Sequence, residues 1–476
     1  MDNTGYTPEE PIAAIATALA PSALGIVRAS GRGCIALLAK IFSRPKALLE
    51  AAGNTIVYGW IVDGDERIDE VLVSVFKAPK SFTGEEMAEI SCHGGVSVVT
   101  AVYSLLLRSG FRQAERGEFT FRAYINGKTD LTKAEAVREI IDSKTDASRS
   151  HAAGRLAGNL YGTIDSVKKL IVETIADIEV EIEYPEDEEN IADSFDDTKL
   201  RRAEKALSDL ASSWKSEKIY QDGARVVLCG KTNAGKSSLF NSLLKEDRAI
   251  VSDIEGTTRD FIESWIDFDG IPARLFDTAG LRETEDVIEA RGVEITKDLS
   301  AEADLILYLV DSTVGLTDED SAFIEAHGEK NSSVPLILLF TKSDSESSST
   351  KSTKSANSTN SVSENPAQNL LVENSVSISS KTGEGIAELC SLVKAALSKS
   401  AETDRNQTGL GSERQKVSVE EALESVRHAL SLTKDFALDA VVQDLEDSLD
   451  ALGAVTGEIT PDDILGSIFS RFCVGK

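Results

Sequence analysis

The middle of the chain alternates between short continuous apolar runs and a segment with helical spacing of apolar residues. The runs lie at 225–229, 273–276, 305–310 and 336–340, and residues 238–244 have the helical spacing. Continuous apolar strands joined by helices are typical of a buried, mostly parallel sheet. We therefore predict an α/β domain over residues 223–397.

The chain on both sides of this region shows the three- to four-residue periodicity of amphipathic helices. One stripe predicts a single long helix and consists of Leu156, Leu160, Ile164, Val167, Ile171, Ile175 and Ile178. Helical patterns return at 419–430, 436–452 and 464–469. Because the ends of compact domains often lie close together, insertions into them are tolerated. We predict one all-α domain, made of residues 128–222 and 398–476, with the α/β domain inserted.

Residues 1–127 mix short strands with helices and predict an α+β domain. Strand patterns at 56–62 and 71–76 flank an Asp-Gly-Asp turn at 63–65 and predict a hairpin. Residues 96–107 predict a helix that ends near Gly110. By contrast, residues 345–363 are rich in Ser, Thr and Asn, a composition that predicts a disordered insertion in the α/β domain.

Composition narrows the class of protein. The formal net charge of −30 disfavours a general nucleic-acid binder, because affinity for phosphate backbones comes largely from Lys and Arg. No apolar run approaches the roughly 20 residues of a membrane helix, and the start lacks the pattern of a signal peptide. The five cysteines are scattered and odd in number. We therefore expect a cytoplasmic protein with reduced thiols, no zinc site and no membrane partner.

A phosphate-binding motif follows the first apolar run of the α/β domain. Residues 230–237 read GKTNAGKS and match GxxxxGK[ST] between a predicted strand and a predicted helix. Backbone N–H groups of such a loop surround phosphates at a helix N-terminus. We expect Lys236 to bind the β- and γ-phosphates and to be essential for catalysis, and Ser237 to bind magnesium. The other predicted nucleotide contacts of this loop are Asn233, Ala234, Gly235 and Ser238.

Two further segments have the composition of GTPase switches. Residues 256–260 read GTTRD, where Thr257 and Thr258 are predicted nucleotide contacts and Thr258 a second magnesium ligand. Residues 277–280 read DTAG. There Asp277 can hold the metal through water and the Gly280 N–H can bond the γ-phosphate. The remaining predicted contacts of this segment are Thr278 and Ala279.

The run at 336–340 ends in TKSD, residues 341–344, which predicts the base-recognition loop. A carboxylate here accepts two N–H bonds from guanine that adenine cannot offer, so Asp344 is the predicted specificity residue. Many GTPases begin this motif with Asn, and Thr341 is a variant of it. The other predicted base-loop contacts are Lys342, Ser379, Ser380 and Lys381. Together these motifs predict that the domain binds GTP with magnesium and hydrolyses it.

The position after DTAG is Leu281, which leaves the catalytic device open. Ras-like enzymes have a Gln there that orients the attacking water. Arg259, Arg282 and Glu289 are candidates for replacing it, and the residues alone do not choose among them.

Several segments in order resemble the MnmE (TrmE) family of tRNA uridine-modification GTPases, over essentially the full chain. They are SFTGEE at 81–86, CHGG at 92–95, RGEFTFRAYINGKTDLTKAEAV at 116–137, GKTNAGKSS at 230–238, DTAGLRE at 277–283 and the terminal FCVGK at 472–476. The resemblance implies a folate-binding N-terminal domain that dimerises, a central helical domain and an inserted Ras-like GTPase domain. It also implies a heterotetramer with MnmG, a partner that uses FAD and NADH. Together they would add an aminomethyl or carboxymethylaminomethyl group at C5 of the wobble uridine of certain tRNAs.

The resemblance also implies a replacement for the missing Gln. In the family a potassium ion lies where an arginine finger would, and a fixed cation offsets the charge that develops during transfer. The matching potassium ligands are Asn233, Ser252, Ile254 and Thr257, and Ser252 is also a predicted nucleotide contact. The family's water-orienting residue falls on Glu289, with the site completed when two GTPase domains meet across the dimer.

For a tetrahydrofolate derivative, 5-formyl or methylene, the matching positions are Arg28, Glu85, Lys128 and Lys476. Of these, Arg28 and Lys476 are expected to pair with the glutamate carboxylates of the folate. The chain departs from the family at 16–25, where a glycine-rich stretch is replaced and backbone freedom is lost. Cys473 occupies the family's functional cysteine position, and a buried, inert thiol is the alternative.

Two other classes of function stay open. One is a GTPase switch for ribosome assembly, which would need an RNA-binding segment that the chain does not display. The other is a self-assembling structural GTPase. The RGEF and CVGK signatures favour the modification enzyme over both.

Overall fold

The computed structural model describes residues 10–183, 196–245, 262–277, 303–329, 334–348, 374–398, 409–433 and 438–476. They fall into two compact units. The first unit takes in Met1–Arg138, Arg155–Ser208 and Val417–Lys476, and the second Glu139–Gly154 and Asp209–Lys416. The predicted domain boundaries at 127, 222 and 397 stay predictions.

The elements are numbered in chain order. The strands are β1 (Ile12–Ile15), β2 (Leu24–Ser30), β3 (Thr55–Asp63), β4 (Glu66–Phe76), β5 (Met87–His93), β6 (Arg112–Gln113), β7 (Ala224–Gly230), β8 (Ile262–Phe268), β9 (Ile271–Asp277), β10 (Leu305–Asp311), β11 (Leu336–Thr341) and β12 (Ser375–Ser377). The helices are α1 (Cys34–Ala39), α2 (Pro45–Leu49), α3 (Val96–Arg108), α4 (Glu118–Ile125), α5 (Leu131–Asp142), α6 (Asp146–Leu156), α7 (Asn159–Glu183), α8 (Thr198–Asp222), α9 (Lys236–Lys245), α10 (Asp318–Glu329), α11 (Ile386–Ser398), α12 (Glu413–Leu432), α13 (Leu438–Thr456) and α14 (Asp462–Phe469).

The N-terminal sheet has the strand order β3-β4-β5-β2-β1-β6. Its strands alternate between a buried face and an exposed face, as Val71, Val73 and Val75 are buried while Leu72 is exposed. The predicted hairpin is present, with Gly64 at φ +60° in the turn. Strand β4 begins at Glu66, five residues before the predicted start, because polar residues at the head of the strand hid the alternation. The α+β prediction for this domain is confirmed.

The helices from Leu131 to Asp222 and from Glu413 onward confirm the all-α prediction, and the start of one helix is corrected. The stripe that begins at Leu156 predicts one long helix, and six of its seven members lie in α7, whereas Leu156 is the last residue of α6. Gly158 lies between them at φ +98°, a left-handed conformation that ends a helix readily. Leu156 itself is exposed, whereas Leu160, Ile164, Val167, Ile171 and Ile178 are buried.

The second unit contains a six-stranded sheet in the order β12-β11-β10-β7-β9-β8. All neighbouring pairs are parallel except the β8–β9 hairpin, which turns at Asp269 and Gly270. Buried aliphatic side chains cover both faces of the sheet, as expected for a parallel sheet between helices.

The Ser-rich segment 345–363 is described only at its start. Residues Ser343–Ser348 form a 3-10 helix after β11, and the segment beyond residue 348 lies outside the described residues. Within the described parts of the chain, no helix is long and apolar enough to cross a membrane.

Candidate functional site

The carboxyl ends of the parallel strands bring the predicted nucleotide residues to one edge of the second unit's sheet. Strand β7 ends at Gly230, β9 at Asp277, β10 at Asp311 and β11 at Thr341. In open α/β sheets this edge is where ligands bind, because the loops leaving neighbouring strands converge there.

The phosphate loop depends on residues in left-handed conformations. Gly230 has φ +135°, and a Cβ added there would lie 2.4 Å from the Leu309 carbonyl oxygen, so only glycine fits. Asn233 has φ +67° and is exposed at the tip of the loop. The Lys236 ammonium lies inside the loop and donates to the carbonyls of Gly230 at 2.6 Å and Lys231 at 2.8 Å. Its positive charge is therefore held at the centre of the loop.

The two described residues predicted to hold magnesium lie side by side. Ser237 is the second residue of α9, and its Oγ donates to Oδ2 of Asp277 at 2.9 Å. A hydroxyl beside a carboxylate is a donor set of oxygens, the type of ligand that Mg²⁺ prefers. The described residues therefore fit the predicted metal.

The base-recognition loop is tied to the phosphate loop by one side chain. Thr341 is buried, and its Oγ1 lies 2.7 Å from the Ala234 carbonyl and 3.2 Å from the Val310 carbonyl, to which it donates. Asp344 accepts a hydrogen bond from Ser379 Oγ at 2.8 Å, so the TKSD loop contacts the loop that begins at Ser379. Ser380 and Lys381 follow in the same turn.

Asp311 is a site residue that sequence analysis did not find. Its Oδ2 lies 2.5 Å from Lys342 Nζ, and its Oδ1 accepts from the Thr313 hydroxyl and N–H. Burial opposes the charge of Asp311, but the bonds from Lys342 and Thr313 outweigh it and lower the pKa of the carboxyl. An acid directly after a buried apolar strand was the available signal.

The other predicted residues of this site lie outside the described residues. They are Ser252, Ile254, Thr257, Thr258, Thr278, Ala279, Gly280 and Glu289, together with Arg259, Leu281 and Arg282. Their roles stay predictions.

In the first unit, Arg28 of β2 lies against the C-terminal segment. Its Nε and Nη2 donate to Glu89 Oε1 at 3.0 and 2.7 Å, and its Nη1 donates to the Gly475 carbonyl at 3.1 Å. Gly475 precedes Lys476, so two of the predicted folate residues come close together. A guanidinium has five N–H donors, and three of them are used in these bonds to described residues.

Glu85 ends a buried chain of charges that sequence analysis missed. Its Oε2 accepts from Arg122 Nη1 and Ser30 Oγ, each at 2.9 Å. Arg122 is fully buried and also donates to Glu118, which in turn binds Arg112. Burial opposes the charge of Glu118, but hydrogen bonds from Arg112, the Glu115 N–H and Arg122 outweigh it and lower its pKa. The chain holds the Glu85 carboxylate in place.

Lys128 is exposed and donates from Nζ to the Pro79 carbonyl at 3.1 Å, beside the loop that carries Glu85. Cys473 is exposed, whereas Cys34, Cys92, Cys229 and Cys390 are buried. The alternative of a buried thiol at Cys473 is therefore wrong.

The replaced stretch at 16–25 carries no strain that glycine would relieve. None of these residues has a positive φ, so none needs the left-handed conformation that glycine favours. Thr17 Oγ1 accepts from the Ile26 N–H at 3.1 Å and closes the loop onto β2.

Loops in this order, at the carboxyl edge of a parallel sheet, occur in P-loop GTPases, and that is the class to which the fold and the site assign the protein. The chain belongs to the MnmE/TrmE family. The family model described as "MnmE helical domain" matches residues 131–473, and the one described as "GTP-binding protein TrmE N-terminus" matches residues 11–128.

Curated relatives match at full length. A protein of Treponema denticola named "tRNA modification GTPase MnmE" is 50% identical over 99% of both chains. Proteins of the same name from Treponema pallidum (strain Nichols) and Borrelia turicatae are each 40% identical, over 99% and 98% of both chains. A solved structure of Era from Aquifex aeolicus, bound to GDP and AlF4−, is 25% identical, covers 42% of this chain and 66% of that chain, and has a TM-score of 0.26.

Proposed function

We propose that this GTPase modifies tRNA: with a flavin-dependent, MnmG-type partner, it adds an aminomethyl or carboxymethylaminomethyl group at C5 of the wobble uridine. The observation that carries the proposal is the match to a protein named tRNA modification GTPase MnmE along 99% of both chains. A match of that extent includes the N-terminal domain and the terminal segment as well as the GTPase sheet.

The GTP half of the cycle follows from the described site. Lys236 holds a positive charge inside the loop, where it would bind the β- and γ-phosphates together with the loop N–H groups. Bound Mg²⁺ would be held by Ser237 and, through water, by Asp277, and would offset phosphate charge. Asp344 would accept the guanine N–H groups, positioned by its bond from Ser379.

Potassium is part of the proposal. Asn233 is exposed at the tip of the loop that holds Lys236, and its backbone has a left-handed conformation. Since Leu281 cannot orient water, a cation bound by Asn233, Ser252, Ile254 and Thr257 would supply charge stabilisation. Glu289 would orient the attacking water.

A tetrahydrofolate derivative, 5-formyl or methylene, would supply the added carbon in the N-terminal domain. Support comes from charges on and near β2: Arg28 bonds the Gly475 carbonyl beside Lys476, Glu85 accepts from Ser30 of β2, and Lys128 bonds the Pro79 carbonyl. Arg28 also lies 5.7 Å from the ring centres of Phe82 and Phe119, so apolar surface borders the charge. Charge beside aromatic surface suits a flat ring with a carboxylate tail.

The assembly in this proposal is a homodimer that joins its partner in a heterotetramer in the cytoplasm. Ile56, Tyr58 and Leu72 are large apolar side chains on the outer face of the β3–β4 hairpin, each about half exposed or more. Tyr58 and Leu72 are direct cross-strand partners, so they form a continuous patch. A second copy is the occupant that the family resemblance favours, and tRNA would reach the site on the partner protein.

The test is nucleoside analysis of tRNA from a strain that lacks the gene. We expect the modified wobble uridine to disappear and to return with the wild-type gene, but not with Lys236→Ala or Cys473→Ser. The Cys473→Ser protein should keep its fold and GTPase rate, because the thiol lies outside the GTPase unit. Unchanged wobble uridine in the deletion strain would refute the proposal and favour a GTPase switch without modification chemistry.

A further inference from the structure

The turn of the β8–β9 hairpin is held by a residue that lies about 125 positions earlier in the chain. Thr145 Oγ1 donates to the Gly270 carbonyl at 2.9 Å. Thr145 is buried, and the Ala147 side chain lies beside the same glycine. Lys394 of α11 holds the neighbouring carbonyl of Asp269 at 2.7 Å, so both carbonyls of the turn are bonded.

In the sequence, the β8–β9 hairpin lies between the GTTRD and DTAG segments. GTTRD, at 256–260, immediately precedes β8, and β9 ends at Asp277, the first residue of DTAG. The hairpin therefore joins the two segments that are predicted to respond to nucleotide. Asp277, at the carboxyl end of β9, is also the residue that accepts the hydrogen bond from Ser237.

Thr145 also directly precedes α6 and caps its N-terminus. Ser148 N–H donates to Thr145 Oγ1 at 3.2 Å, and Thr145 N–H donates to Ser148 Oγ at 3.1 Å, a reciprocal cap. One turn further along α6, His151 Nδ1 lies 2.8 Å from the buried Glu217 carboxylate of α8, and its ring stacks on Tyr220 at 4.4 Å. The turn is thus anchored to a helix that is itself fixed to α8.

Trp265 of β8 adds a second anchor. The Arg274 guanidinium lies 4.9 Å and the Lys144 ammonium 6.0 Å from its ring centre. Gly223, at the end of α8, approaches so closely that an added Cβ would lie 2.4 Å from the ring. Residues 144–147 and the end of α8 therefore contact the hairpin at both its strand and its turn.

We propose that Thr145 is a positioning residue for GTP hydrolysis: its hydroxyl holds the hairpin turn and thereby sets Asp277 relative to Ser237, and it passes nucleotide-dependent movement of the hairpin to α6.

The kinetic test uses full-length protein with saturating Mg²⁺ and K⁺. Thr145→Val removes the hydroxyl at nearly the same volume, and we expect kcat for GTP to fall about three- to tenfold, the size of effect expected for a lost hydrogen bond, with KM within about twofold. Thr145→Ser keeps the hydroxyl and should restore kcat. Ser148→Ala weakens the same helix cap without touching Gly270, and it should leave kcat within about twofold. A Thr145→Val rate equal to wild type, or to that of Ser148→Ala, would overturn the proposal.

A second measurement needs no variant. Hydrogen–deuterium exchange of the wild-type protein is compared with GDP and with a non-hydrolysable GTP analogue. We expect protection at 145–151 and at 265–271 to change together between the two states. If exchange at 145–151 is the same with both nucleotides, α6 does not receive the movement and the proposal fails.

Discussion

The structural role of Thr341 follows from its contacts and not from its position in the motif. In the sequence it is a departure from the Asn that many GTPases have at this place. In the structure its hydroxyl bonds the Ala234 carbonyl, so the variant residue joins the base loop to the phosphate loop. A buried hydroxyl with two acceptors contributes roughly 1 kcal/mol and would cost more if left unpaired. Thr341 therefore forms a contact between the two loops in this protein.

His93, in the CHGG segment, is a residue whose charge depends on a partner far away in the sequence. Its Nδ1 lies 2.7 Å from Asp69 Oδ1, and its backbone N–H donates to Oδ2 of the same carboxylate. The hydrogen bond and the negative charge of Asp69 raise the pKa of His93 from its ordinary value of 6.5.

The pair predicts a pH dependence of stability. A raised pKa in the folded state means that the stabilisation is fully present below the ordinary pKa and is lost as pH rises through the folded value. We expect the difference in thermal midpoint between wild type and His93→Gln to be larger at pH 5.5 than at pH 8.5. In NMR titration, Asp69→Asn should lower the pKa of His93. A pKa unaffected by Asp69→Asn would contradict the pairing.

At the scale of elements, the end of the chain is part of the N-terminal domain's structure. Val474 pairs with Arg116, the Gly117 N–H donates to the Cys473 carbonyl, and Gly475 lies against Ile15 at φ +93°. The RGEF and CVGK signatures, about 350 residues apart, therefore meet beside β2. That contact explains why both segments bear on the same predicted site.

The contact predicts how folate binding responds to mutation. Arg28→Ala removes the guanidinium between Glu89 and Gly475, and we expect the Kd for 5-formyltetrahydrofolate to rise at least about tenfold, as for a lost charge-assisted bond. Arg108→Ala is the matched control, because Arg108 pairs with Asp63 on an exposed surface of the same domain. Titration by fluorescence or calorimetry measures both. Equal affinities for the two variants would remove Arg28 from the site.

At the scale of the whole molecule, potassium and dimerisation should act together. If GTPase domains complete each other's sites, hydrolysis should be several-fold faster in K⁺ than in Na⁺ at equal ionic strength. The K⁺ stimulation should be lost in Asn233→Ala while GTP affinity is retained. Equal rates in both salts would refute the potassium ligand.

Light scattering should give a dimer for the wild type and a weakened dimer for Tyr58→Asp, which places a charge in the apolar patch.

The sequence alone was sufficient for the class of each domain and for the nucleotide motifs. Apolar runs and helical stripes indicate which face of an element is buried. GKTNAGKS, DTAG and TKSD are each continuous stretches of sequence, so their chemistry can be predicted without a structure. It placed the start of α7 three residues too early, because Leu156 has the spacing of the stripe although Gly158, in a left-handed conformation, separates it from α7.

Only the tertiary structure decided which distant residues meet. Asp311 with Lys342, Glu85 with Arg122, Asp69 with His93 and Thr145 with Gly270 are pairs separated by 24 to 125 positions. Strand order and helix packing bring such side chains together, and the local periodicity of the sequence determines neither of them. The motifs thus determined what the phosphate site is made of, and the fold determined what holds it.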